Sequence, residues 1–192
     1  MIRPAPLRRA DFLQIITGIR LTMSLKNLLH ENRSAIVNQW FEVVVGTYQE
    51  QTRGPLRKQN APFTNPVGFN TVQGLEGLYD GILKGMIPTE TSRFLDGIVR
   101  IRAVQDFAPS EALRFIIELK NVVRKVLAEA LRDPATAGDL AAFDSAVDDL
   151  ALFSFDLYMQ CREKIYDIKA KEARNMTFRL LQKAQLITEN QE

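Results

Sequence analysis

The chain has 192 residues, 46% hydrophobic and 25% charged, with a formal net charge of +2. That composition excludes a disordered chain, leaves enough apolar material for one real core, and is too weakly basic to imply a nucleic-acid or membrane partner. One cysteine excludes an intrachain disulfide framework and fits a reducing cytoplasm, while one histidine removes His-rich metal sites and most acid–base dyads.

Residues 1–22 form a basic N-terminal extension. Arg3, Arg8 and Arg9 precede the short apolar run Phe12–Ile19, which is too short to span a bilayer and lacks a clean cleavage site. A start at Met23 is one reading, because Ser24 is a good helix cap and amphipathic order begins there. An extra helix and a targeting segment are the other two.

From Leu25 onward every periodic segment reads as helix, and no stretch alternates as a strand. The first helix is expected over Leu25–Tyr48, with Leu28, Leu29, Ile36, Trp40, Phe41, Val44 and Tyr48 on its buried face, ending at Gly54-Pro55. Leu56–Pro66 is expected to be irregular because of Pro62 and Pro66, and Asn65-Pro66-Val67-Gly68 reads as a turn. A second helix should start at Asn70 or Thr71 and run to about Lys84. Gly74, Gly77 and Gly81 share one side of it, which predicts close approach to another helix.

Pro88 and Thr89 should start a third helix carrying Phe94, Leu95, Ile98, Ile101, Arg102 and Val104 and ending near Asp106-Phe107. Pro109 suits the first position of a fourth helix, with Ala108 as a poor N-cap and Glu111 at N3. Asp133-Pro134 through Gly138 breaks that helix. From Asp139 to Glu192 there is neither Gly nor Pro, so one very long helix is expected. Its first half, to Tyr158, is apolar on more than one side. Beyond Cys161 a narrow seam flanked by charge suits a two-helix coiled coil. Leu157, Cys161, Ile165, Ile168 and Met176 are the expected dimer or partner seam.

Catalytic and metal signatures fail. There is no cysteine pair, no CxxCH, no Walker loop, no GxGxxG after a strand and no GxSxG elbow. Cys161 reads as a buried small apolar residue, and His30 as a surface histidine. Glu76/Asp80 and Asp144/Asp148 share helix faces without the Glu-x-x-His motif of di-metal bundles, so solvated faces are expected. Arg53, Arg57 and Lys58 form a small basic cluster of ordinary kind. Trp40, Phe63, Phe69, Phe94, Phe107 and Phe115, with Phe41, could line an apolar pocket for a small ligand, although periodicity alone predicts a filled core. No catalytic residue, metal or cofactor is expected.

The middle of the chain resembles a known family. Leu56-Arg57-Lys58-Gln59, Phe63, Asn65-Pro66-Val67-Gly68, Gly74-Leu75-Glu76-Gly77-Leu78-Tyr79-Asp80 and Arg100–Ala112, with Leu28-Leu29 and Trp40-Phe41, are similar to the RsbRD-type N-terminal domain. That domain is named after co-antagonists of the RsbT kinase, and the likeness runs over about Leu25–Ile168. It implies an all-α, globin-like helical bundle without haem, a sensory or regulatory role in stress signal transduction, homodimers, and a long terminal helix leading to an output domain. The single histidine lies early in the first helix, the wrong place for a proximal haem ligand. The expected organisation is an extension over 1–22, a globin-like domain over 23–168 and the end of the long helix over 169–192. No phosphoacceptor domain follows the helix within these residues, so a separate partner chain is the expected recipient of any signal. Short stand-alone relatives resemble proteins encoded near membrane redox complexes in sulfate-reducing bacteria, which implies a regulatory or redox-complex partner. The expected function is non-enzymatic, acting by protein–protein contact. A small-ligand sensor using the aromatic pocket is the alternative.

Overall fold

The computed structural model describes residues 23–58, 65–85 and 89–184. The described residues form seven α-helices: α1 Met23–Glu31, α2 Arg33–Gly46, α3 Glu50–Leu56, α4 Pro66–Leu83, α5 Thr89–Val104, α6 Pro109–Val126 and α7 Ala137–Lys183. Two short 3-10 turns join α6 to α7, and no strand occurs among the described residues. The protein is all-α. The extension over 1–22, Pro62, Phe63, Pro88 and residues 185–192 lie outside the described residues.

Helix α2 supplies the central packing element. Ile36, Val37, Trp40, Phe41, Val44 and Val45 are all buried. Around the core the helices close a ring in which α2 packs on α4, α4 on α5, α5 on α7, α7 on α6, and α6 back on α2. Leu75, Leu78 and Tyr79 from α4, Leu95 and Val99 from α5, Phe115, Ile116 and Leu119 from α6, and Phe143, Val147 and Leu150 from α7 fill the centre. Each set recurs at three- and four-residue steps, which puts it on one helix side.

The glycine side of α4 is where two backbones meet. A Cβ built on Gly77 would sit 2.1 Å from Cδ2 of Phe94, and one on Gly74 would sit 2.7 Å from Cδ1 of Ile98. Both neighbours belong to α5, so the missing side chains let α5 lie close against α4, as the spacing predicts.

Three expectations on the early elements need correction. The first helix is not continuous: it breaks at Asn32, whose backbone leaves the helical region (φ −97°, ψ 12°) while its side-chain amide donates to the Leu28 carbonyl at 2.8 Å. That self-directed bond is the usual way Asn competes with helix propagation. Gly54-Pro55 does not terminate a helix but lies inside the short α3. Finally, α4 begins at Pro66 rather than near Asn70. Asn65 is its N-cap, with Oδ1 accepting from the Gly68 amide at 2.9 Å, and Pro66 occupies the first helical position where its missing N–H costs nothing.

Helix α6 starts as expected, with Ala108 at the cap position and Pro109 after it. It ends at Val126, and the 3-10 turns take up residues 130–136. At 47 residues, α7 is by far the longest helix, about 70 Å from end to end.

Candidate functional site

Arg102 is fully buried in the core. It belongs to the inward side of α5 with Leu95, Ile98 and Val99, so its stem follows the apolar stripe while its guanidinium must find acceptors inside the protein. Nη2 donates to the Thr47 hydroxyl at 2.8 Å and to the Val44 carbonyl at 3.4 Å. Nη1 donates to the Glu111 and Ala112 carbonyls at 3.2 and 3.3 Å. The Nε–H is buried without an acceptor. Three rings surround the cation, with Tyr48, Phe107 and Phe115 centroids 5.5, 5.2 and 5.1 Å from Cζ. Each ring face offers partial negative charge to it. Burial nevertheless pulls the guanidinium below its ordinary pKa.

The aromatic residues expected to line a pocket are divided by the structure. Phe107 and Phe115 come together around Arg102, and Trp40 packs against Phe115 with ring centroids 6.1 Å apart. Trp40 and Phe115 are completely buried, and the indole N–H donates to the Phe115 carbonyl at 2.6 Å. Phe107 stacks edge-on to Tyr48 at 5.4 Å. Phe94 stands apart, over Gly77 on α4. Phe69 is half-buried at the start of α4, and Phe63 lies outside the described residues.

The α5–α6 corner joins this cluster to the long helix. α5 ends in a Schellman turn: Asp106 takes the left-handed conformation (φ 58°), and the Phe107 amide reaches back to the Arg102 carbonyl at 3.3 Å. Asp is one of the few non-glycine residues that tolerates this region. α7 grips the corner from outside. Tyr158 donates its hydroxyl to the Phe107 carbonyl at 2.5 Å, and Arg162 donates to the Ala103 carbonyl at 3.0 Å and to the Asp106 carboxylate. The Arg162 bond holds the Asp106 carboxyl below its usual range, and the same contact pushes the Arg162 guanidinium up.

The other charged residues singled out in the sequence are structural ties between helices. Asp80 receives a two-pronged bond from Arg33 at 2.8 and 3.0 Å, with Glu76 3.7 Å away. Asp144 and Asp148 pair with Arg124 and Lys120 of α6. The expected solvated faces are therefore also inter-helix clasps. Arg53 donates to the Tyr48 and Gly46 carbonyls at the end of α2, and Arg57 pairs with Glu42. These bonds account for two members of the basic cluster. His30 is exposed and Cys161 buried, and burial pushes the Cys161 thiol up. No grouping of His, Cys, Asp and Glu suited to a metal ion occurs among the described residues.

Helix α7 has two apolar sides. On one, Phe143, Val147, Leu150, Ser154, Tyr158 and Cys161 face the body. Leu157 and Ile165 pack on the same core, so three of the five expected seam residues, Leu157, Cys161 and Ile165, are in contact with the chain's own body. Ile168 and Met176 are open, at 57% and 65% exposure. The other apolar side is exposed: Leu152, Phe155, Met159, Tyr166, Met176 and Leu180. Periodicity picked out Met176 but not the proximal members of this side, because the proximal half is apolar nearly all round, which blurs any stripe.

The family model for the RsbT co-antagonist protein rsbRD N-terminal domain matches residues 34–172, well over half of the chain. The chain belongs to that family. An rsbRD N-terminal domain is a regulatory, stress-signalling module, and the match extends from the first turn of α2 into the distal half of α7. An uncharacterized protein of Archaeoglobus fulgidus is 32% identical over 84 residues, covering 43% of this chain and 52% of that protein. The chain thus spans about half the length of that relative. No solved structure matches. No helix among the described residues of this family member is long and apolar enough to cross a membrane.

Proposed function

We propose that the protein is a cytoplasmic, haem-free regulatory module of globin-like build that acts by protein–protein contact and dimerises through α7. The observation that carries this reading is the outward side of that helix, where large apolar residues stay exposed at both ends, from Leu152 to Leu180. A surface helix normally shows water its charged side, so an apolar outer stripe calls for a covering surface. Ile168 and Met176 remain members of the proposed seam, and Leu157, Cys161 and Ile165 anchor the same helix to the body. In this reading residues 23–168 form the body and 169–192 the connector end, with a separate regulatory or redox-complex chain receiving the signal. The role is non-enzymatic. The single histidine, exposed at the end of α1, supports a body built without haem.

Hydrogen exchange tests this on the intact chain. Residues 169–180 of α7 are exposed on all sides, so a lone helix there has no tertiary protection. Dimerisation predicts amide protection over 169–183 that grows with protein concentration. Fast exchange independent of concentration contradicts it.

A small-ligand sensor is the second reading, favoured by the buried Arg102 Nε–H without an acceptor. It predicts a bound small molecule on the purified protein in native mass spectrometry, and an unliganded mass counts against it.

A further inference from the structure

Charge along α7 gives the helix a direction for self-association. From Ala137 to Cys161 it carries Asp139, Asp144, Asp148, Asp149 and Asp156 and no Lys or Arg. From Arg162 to Lys183 it carries seven Lys and Arg against Glu163, Asp167 and Glu172, a net +4. With the body residues that pair them included, Lys120 and Arg124 for the proximal half and Asp106 for the distal one, the two halves still carry −3 and +3. We propose that two copies of this chain pair antiparallel along the outward stripe of α7, Leu180 against Phe155 of the second copy and Met159 against Met176 of the second copy. This rests on the reading of α7 as the self-association helix and adds its direction and register.

Three observations support it. Leu152, Met159, Tyr166, Ala173 and Leu180 recur at seven-residue steps, with Phe155 and Met176 in the intervening seam positions. A strict seven-residue repeat stays on one seam of a two-stranded coil, here for about 42 Å. The occupant must therefore be an equally long helix of the same period, and a second copy supplies one.

Orientation follows from charge. A parallel pair sets two basic halves side by side and brings Lys169, at a seam position, against its own counterpart. An antiparallel pair lays each basic half on the other's acidic half, and Tyr166 then meets the stem of Lys169.

The body leaves room for this. It packs on the opposite side of α7 through Leu150, Ser154 and Cys161, which leaves Leu152, Phe155, Met159, Tyr166, Met176 and Leu180 exposed, while Arg162, between them, is held to the body by the Ala103 carbonyl and the Asp106 carboxylate. The distal half, which has run past its own body, covers the proximal stripe of the other copy.

Spin labels decide the direction. A Leu180→Cys label in a Cys161→Ala background places two labels about 40 Å apart in the antiparallel pair, from the 1.5 Å rise per residue. A parallel pair brings them within about 20 Å, given helix axes 8–10 Å apart. The long distance is expected. The short one overturns the antiparallel arrangement while leaving dimerisation intact, and monomeric protein with no intermolecular distance overturns both. A second measurement guards against label effects. Mixed Phe155→Cys and Leu180→Cys chains, again without Cys161, should form a mixed disulfide in preference to either symmetric one. Preference for the symmetric Leu180→Cys disulfide overturns the proposal.

Discussion

Replacing Gly77 by Ala and Gly97 by Ala should shift stability in opposite directions, although both positions lie inside helices. In an exposed helix interior Ala is worth about 1 kcal/mol over Gly, because glycine loses more backbone freedom on folding. A Cβ on Gly97 meets nothing within 4 Å, so Gly97→Ala should be stabilising by about that amount. A Cβ on Gly77 would lie 2.1 Å from Cδ2 and 2.3 Å from Cε2 of Phe94. The ring must then swing away or α5 must lift from α4, a rearrangement of the kind that costs about 1–3 kcal/mol. Helix propensity offsets about 1 kcal/mol of that, leaving a net loss of ~0–2 kcal/mol. The two variants should therefore differ by about 1–3 kcal/mol in urea unfolding at matched slopes. In a Phe94→Ala background the clash is gone, and Gly77→Ala should become stabilising. A Gly77→Ala protein as stable as Gly97→Ala in the otherwise native chain would refute the close α4–α5 approach.

Asn65→Asp should be worse than its reputation at an N-cap suggests. The Asn65 amide also donates to the Pro55, Leu56 and Lys58 carbonyls at 2.9–3.1 Å, and a carboxylate there would face three acceptors. Asn65→Ala should cost about 1–2 kcal/mol and Asn65→Asp at least as much, both read by thermal unfolding. Arg102→Ala empties a buried site under three rings and should cost about 2–4 kcal/mol, whereas Arg102→Met keeps the stem and discards the buried charge, so it should recover most of that loss in the same assay. Asp149 has its carboxyl pushed up, first by burial and then by Asp148. Its charged form is disfavoured in the folded state, so folding loses stability as pH rises past the unfolded carboxylate pKa and through the folded one. Asp149→Asn should accordingly raise the unfolding midpoint at pH 7, with the gain fading toward pH 3; a gain that grows in acid would contradict the sign.

How much of this was legible in the residues differs from element to element. The helices, the glycine side of α4 and the Ala108-Pro109 start of α6 follow from period and propensity, because those signals are local. The Asn65-Pro66 pair was equally local, but it is consistent with both a turn and a cap with proline at the first position, and the bonds from Asn65 to the end of α3 decide between them. The break at Asn32 depends on a side chain choosing its own Leu28 carbonyl, which no period encodes. Arg102 stood visibly on an apolar stripe. Its burial among Tyr48, Phe107 and Phe115 comes from three separate helices and loops converging, a tertiary fact. The two sides of α7 were hidden for a related reason: which apolar side meets the body depends on where α5 and α6 lie.

The mass of the intact chain in sedimentation equilibrium tests the central claim, a regulatory module held as a pair by α7. Wild-type protein should approach twice the 21.8 kDa of a single chain, and Met176→Asp, an exposed position on the outward stripe, should return it toward 21.8 kDa while keeping its helical circular dichroism. A wild-type mass of 21.8 kDa across the accessible concentrations, or a pair indifferent to Met176→Asp and Leu180→Asp together, would contradict it.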